Sequence, residues 1–201
     1  MDIFVLVMMV ALGAFGIKTR DQSRRIALLG RQLGNYQIEK LMEKLTDGYM
    51  RCLGEDDAER REQIWRLLAV DEQTLSGQFS RFAAGFSRVG EAETRVSTLP
   101  VALPLADRLL PAMTFDARRL FEVHARGIAD AADNVLRQTP RRKAFTMMAE
   151  LFLMQHSCHW FCRSKTVAST RLLARHMTSY QLALDSVATT TRDAYREVTG
   201  V

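Results

Sequence analysis

Proline and glycine are scarce, at four and eleven residues in a chain of 201. That excludes long linkers, collagen-like repeats and low-complexity tracts. Cysteine is scarcer still. Cys52, Cys158 and Cys162 make an odd count, so no disulfide framework is expected and the thiols read as reduced, as in a cytoplasmic body. The signatures of common catalytic sites are missing: no Gly-rich phosphate loop, no GxSxG, no HExxH and no acidic pair at metal-binding spacing. Their absence weighs against an enzyme. There is no zinc-finger spacing and no aromatic RNP-like strand, so no nucleic-acid partner is expected. No stretch keeps a period-two alternation, which predicts no sheet.

What is present fits one globular domain with a substantial core and a short appendage: 47% of residues are hydrophobic and 25% charged. The formal charge of +5 is unevenly placed. Residues 18–31 hold five basic side chains and one acidic; residues 137–175 hold eight basic and one acidic. Two local basic patches suit anionic lipid headgroups or an acidic partner.

Residues 3–17 (IFVLVMMVALGAFGI) carry no charge. As a helix they span roughly 22 Å, short of the ~30 Å hydrocarbon core. A cleaved signal peptide would need a basic n-region and a small-residue cleavage site. Here Asp2 precedes the run and Lys18-Thr19-Arg20 follows it. A buried core helix is the third reading. A signal anchor fits best, and the basic flank Lys18, Arg20, Arg24 and Arg25 then places the body in the cytoplasm. Residues 18–33 read as a basic juxtamembrane amphipathic helix, lying on the inner leaflet or packing on the domain.

The body, 34–201, reads as all-helical. Ile38, Leu41, Met42, Leu45, Tyr49 and Leu53 form one apolar stripe. Asp56 with Glu59 has capping-box spacing, and Leu75, Phe79, Phe82, Phe86 and Val89 form a 4-3-4-3 stripe on a long helix with a break expected near Gly77. Pro100, Pro104 and Pro111 mark an ordered connection or a lid. Thr114 is read as capping a helix over 115–136, and Thr139-Pro140 as starting the next.

That helix holds the most apolar stretch of the body, 144–162 (AFTMMAELFLMQHSCHWFC). It is apolar around most of its circumference, as in a helix surrounded by others. It also carries His156, Cys158, His159 and Cys162. Two thiolates at i, i+4 supply half of a tetrahedral metal site, with Cys52, His124 or His176 as further ligands, and Arg163 and Lys165 favour the thiolate. The competing reading is core packing. Glu150 calls for a buried ion-pair partner, Arg118, Arg119 or Arg126; alternatively it works as an acid/base with a histidine.

The expected fold is therefore all-α: an N-terminal transmembrane or signal-anchor helix (1–17), then a bundle of about six helices around a buried central helix at about 140–163. The expected function is a membrane-anchored interaction or assembly protein without evident catalysis, single-pass in a bacterial inner membrane. It would touch the bilayer through residues 3–17 and bind a protein partner or its own copies. No cofactor is predicted. The alternative is a membrane-tethered metal- or haem-binding or redox-sensing domain using His156, Cys158, His159 and Cys162.

Overall fold

The helix expected at the centre is there. In the computed structural model, which describes residues 3–101 and 110–200, the Thr139 side chain accepts from the Arg142 N–H and Pro140 occupies the first turn. Pro lacks the N–H that would be orphaned at this position. The helix so begun, Pro140–Cys162, buries Met147, Leu151, Leu153, Met154, Trp160 and Phe161. In chain order the helices are α1 (Ile3–Leu33), α2 (Ile38–Leu53), α3 (Ala58–Phe86), α4 (Glu91–Thr94), α5 (Ala117–Ala132), α6 (Pro140–Cys162), α7 (Lys165–His176), α8 (Tyr180–Ser186) and α9 (Thr189–Thr199). The fold is all-α, and α6 is its centre: α1, α2, α5, α7 and α8 all pack on it.

The 4-3-4-3 stripe of α3 forms the second half of the core. Leu75, Phe79, Phe82 and Phe86 are at most 1% exposed. Phe86 meets Phe121 of α5 edge-on at 4.9 Å and Phe161 of α6 at 5.5 Å between ring centroids. Such T-shaped pairs add to the area they bury. Gly77 does not break α3, which runs 29 residues. One glycine costs only ~1 kcal/mol in a helix, less than this packing supplies.

Several local expectations are corrected. Asp57, not Asp56, caps α3, accepting from the Arg60 N–H. Thr114 does not cap α5; it closes the 3-10 turn Pro111–Met113, donating to the Pro111 carbonyl, and begins a short strand, while Asp116 caps α5 through the Arg118 N–H. A small sheet also exists where none was expected. Strand β1 (Arg95–Ser97) pairs antiparallel with β2 (Thr114–Asp116), Val96 opposite Phe115. Three-residue strands are too short to display a period of two. The ribbon is held by α6: Trp160 Nε1 donates to the Ser97 carbonyl at 3.0 Å, and its ring packs on Phe115 at 4.8 Å. Pro104 and most of the proline-spaced connection lie outside the described residues.

Composition changes at Lys18, but the helix does not: α1 is continuous over 31 residues. Its best window has a mean hydropathy of 1.8 with none of it buried, long and apolar enough to cross a membrane. Its last turns belong to the body. Leu28 and Leu29 are buried, the Arg25 guanidinium sits 5.5 Å over the Phe161 ring, and Gln22 accepts from Arg163 at 2.9 Å. α1 is thus one rod, bare at one end and packed at the other.

Candidate functional site

Helical geometry divides the four predicted ligands. Successive residues turn about 100°, so Cys158 and Cys162 share a face while His156, two residues earlier, points about 160° away from Cys158. His156 is fully buried toward α7 and α8, where Nε2 meets Ser169 Oγ at 3.1 Å and the ring stacks on Tyr180 at 4.5 Å. Cys158, His159 and Cys162 face the other way, toward α1, α2 and α7. Cys158 Sγ rests 3.8 Å from Met154 Sδ. His159 Nδ1 accepts from Arg171 at 3.3 Å, which requires a neutral ring. Cys52 lies elsewhere, donating to the Arg61 carbonyl. Among the described residues, no three His, Cys, Asp or Glu side chains are placed to hold a metal.

The thiols are not the activated thiolates that the neighbouring cations implied. Burial dominates, pushing Cys162 up to about 11 against the pull of Arg163, Arg25 and Arg171. It pushes Cys158 higher still, with Cys162 adding to the shift. Both remain protonated at neutral pH, and it is the thiolate that ligates and attacks.

The other face of α6 is a buried polar seam. Ser157 donates its single hydroxyl proton to the Leu153 carbonyl at 3.0 Å, so His124 Nε2, 2.8 Å away, must donate to Ser157. That fixes the His124 proton on Nε2 and leaves Nδ1 without a partner. A serine that accepts from its histidine is arranged opposite to a nucleophile deprotonated by a base. Both residues are at most 1% exposed.

Glu150 lies in the same seam, also fully buried. It has no cationic partner among the described residues. Arg118 pairs with Asp116 at 2.6 Å, and Arg119 and Arg126 are exposed. The carboxylate instead accepts from the Ala188 N–H at 3.1 Å. A Cβ on Gly127 would come within 2.5 Å of Glu150 and of Thr191, so a side chain larger than glycine does not fit there. Burial raises the Glu150 carboxyl to about 7, tempered by Thr191 and Ala188. A buried carboxylate with a true ion pair is Glu72 of α3, which no motif announced; its neighbour Asp71, less deeply buried, pairs with Lys44 at 2.8 Å. Glu72 bonds Tyr49 of α2 and Lys143 of α6. The signal was its position: Glu72 occupies the core-facing row between Leu68 and Leu75.

These shifts predict a pH dependence. Glu150 has a folded value above its unfolded one, so its contribution is complete below about pH 4.5 and is lost as pH rises through 7. Burial lowers His124 and His156 to about 3, so theirs is complete above about pH 6.5 and is lost as pH falls. At pH 5, unfolding should then take up about two protons on the histidines and release about one from Glu150. Glu150→Gln removes the release. The slope of stability against pH near pH 5, from denaturant melts, is expected to steepen by ~1 kcal/mol per unit relative to the parent, because an unfolded Glu is still partly protonated there. An unchanged slope would mean that Glu150 is ionised in the folded state.

The remaining feature is a groove of about 660 Å³ between α1, α2, α6 and α7. Ile26, Leu29 and Leu33 of α1 face Met42 and Met154 across it, with Cys158 and Cys162 in the same lining. Its rim carries Arg163, Arg171 and Arg175. Arg175 is compensated by Glu39 and Glu43; Arg163 and Arg171 have no carboxylate within ion-pair distance among the described residues. The volume lies within the ~300–1,000 Å³ typical of small-ligand sites. Comparison with known proteins adds no relative: no family model, no curated protein and no solved structure matches this chain.

Proposed function

We propose that this protein is a membrane-anchored, non-catalytic binding and assembly module, single-pass in a bacterial inner membrane, with its helical body in the cytoplasm. One observation carries the reading: α1 is a single rod whose apolar first half is wholly exposed and whose last turns are packed into the body. An exposed apolar surface of this extent calls for a nonaqueous partner. The run is short for a full span by itself, and Lys18 and Arg20 snorkelling from its end make up the difference. The cluster Lys18, Arg20, Arg24 and Arg25 on the body side supports the cytoplasmic orientation. Leu67 and Val70, 70% and 65% exposed and three residues apart on α3, give the body an apolar strip for a protein partner or a second copy.

The full chain is expected to sediment with membranes and to resist alkaline carbonate, while a chain lacking residues 3–17 moves to the supernatant. Full-length protein released by salt or carbonate alone would contradict anchoring by α1. Cross-linking in membranes before detergent extraction then reveals the partner, or a dimer of this chain.

A further inference from the structure

We infer that the groove between α1, α2, α6 and α7 receives one acyl chain of an anionic phospholipid, with the headgroup held by Arg163 and Arg171. The inference rests on α1 being a membrane anchor, because that places one end of the groove against the leaflet. Arg163 bonds Gln22, five residues past the apolar run and hence about 7 Å along the helix axis, at headgroup depth. From there the groove follows α1 away from the bilayer, past Ile26, Leu29 and Leu33.

Charge and the apolar lining choose the occupant. Arg163, bonded to Gln22, stands at the membrane-proximal end, and Arg171, bonded to His159, is the second guanidinium without a carboxylate partner among the described residues. Farther along, Glu39 and Glu43 neutralise Arg175, so the anion belongs near the bilayer and the apolar part beyond it. Guanidinium forks match phosphate oxygens. An acyl chain covers the apolar lining of Ile26, Leu29, Leu33, Met42 and Met154 and brings no backbone polar groups of its own to be left unpaired.

Gly30 lines the groove, and a Cβ there meets nothing within 4 Å. Gly30→Trp therefore puts an indole into the groove from a position where the first side-chain atom has room. The test uses full-length protein in phosphatidylcholine nanodiscs doped with phosphatidylglycerol carrying a photoreactive acyl chain. Cross-links are mapped by mass spectrometry.

Labels are expected on residues 3–17 from surrounding lipid and on Met42, Met154 or Cys158 from the groove. Gly30→Trp should cut groove labelling roughly tenfold, equivalent to ~1.4 kcal/mol, and leave labelling of 3–17 intact. Arg163→Gln with Arg171→Gln should lower it by roughly thirtyfold, to the level of a photoreactive phosphatidylcholine. Circular dichroism of each variant confirms its fold.

Groove labelling that ignores Gly30→Trp, that is equal for the two headgroups, or that excess unlabelled oleate abolishes would overturn the assignment. So would an acidic protein segment cross-linked to Met42 and Met154 in place of lipid. Membrane sedimentation is scored separately. A protein that sediments but shows no groove label loses this inference alone; one that labels in the groove yet is freed by carbonate loses the anchor.

Discussion

Glu72→Ala is expected to destabilise the folded protein by about 3–5 kcal/mol, the cost of leaving half of a buried ion pair. Glu72 is 3% exposed. One carboxylate oxygen accepts from Tyr49 Oη at 2.5 Å and the other binds the Lys143 ammonium. Three helices, α2, α3 and α6, meet at this one side chain. Alanine strands a fully buried phenol and an ammonium whose side chain is only 17% exposed. Glu72→Gln keeps an acceptor for Tyr49 but no countercharge for Lys143, and should fall between the parent and alanine. Removing both charges is gentler than removing one: Glu72→Met with Lys143→Met should recover most of the loss. Denaturant melts of the full chain in detergent read all four proteins. A single variant within ~0.5 kcal/mol of the parent would show that the pair is solvated.

Phe86→Ala should cost a similar ~3–5 kcal/mol for a different reason. Phe86 is fully buried where α3, α5 and α6 converge, and its ring touches those of Phe82, Phe121 and Phe161. No neighbour can fill the space without leaving its own contacts, so a cavity remains. Phe86→Leu keeps most of the volume and should cost under ~1.5 kcal/mol. Leu67→Ala, at a 70% exposed site on the same helix, should stay within ~0.5 kcal/mol. Equal losses at 67 and 86 would contradict the packing direction of α3.

Much of this architecture could be read from spacing. Thr139-Pro140 began α6 as capping chemistry requires, and the 75-79-82-86 series marked the buried face of α3. The ribbon of β1 and β2 was not readable, because three residues are too few for a period and the pairing joins segments 17 or more residues apart. The Cys–His cluster shows how a compact string misleads. Residues adjacent in sequence lie on different sides of a helix, and two-residue spacing alone sends His156 away from Cys158. Cation proximity likewise suggested thiolates at Cys158 and Cys162, whereas depth of burial governs both. Glu150 stood out as a carboxylate on an apolar helix, whereas Glu72 did not, although it sits in the core-facing row between Leu68 and Leu75. Which one met a lysine depended on how α2, α3 and α6 pack, information that no local window holds. The groove has the same origin: its walls come from residues 26–42 and 154–175, brought together only by the docking of α1 on α6.

The anchoring of the body to one face of a membrane by α1 is tested most directly by fusing reporters to Val201 in the full chain. A green fluorescent protein that matures only in the cytoplasm should fluoresce at the cell membrane, and an alkaline phosphatase active only outside the cytoplasm should be silent. Active phosphatase with a dark fluorescent fusion would invert the orientation. Fluorescence spread through the cytoplasm would mean that α1 does not hold the protein in a membrane.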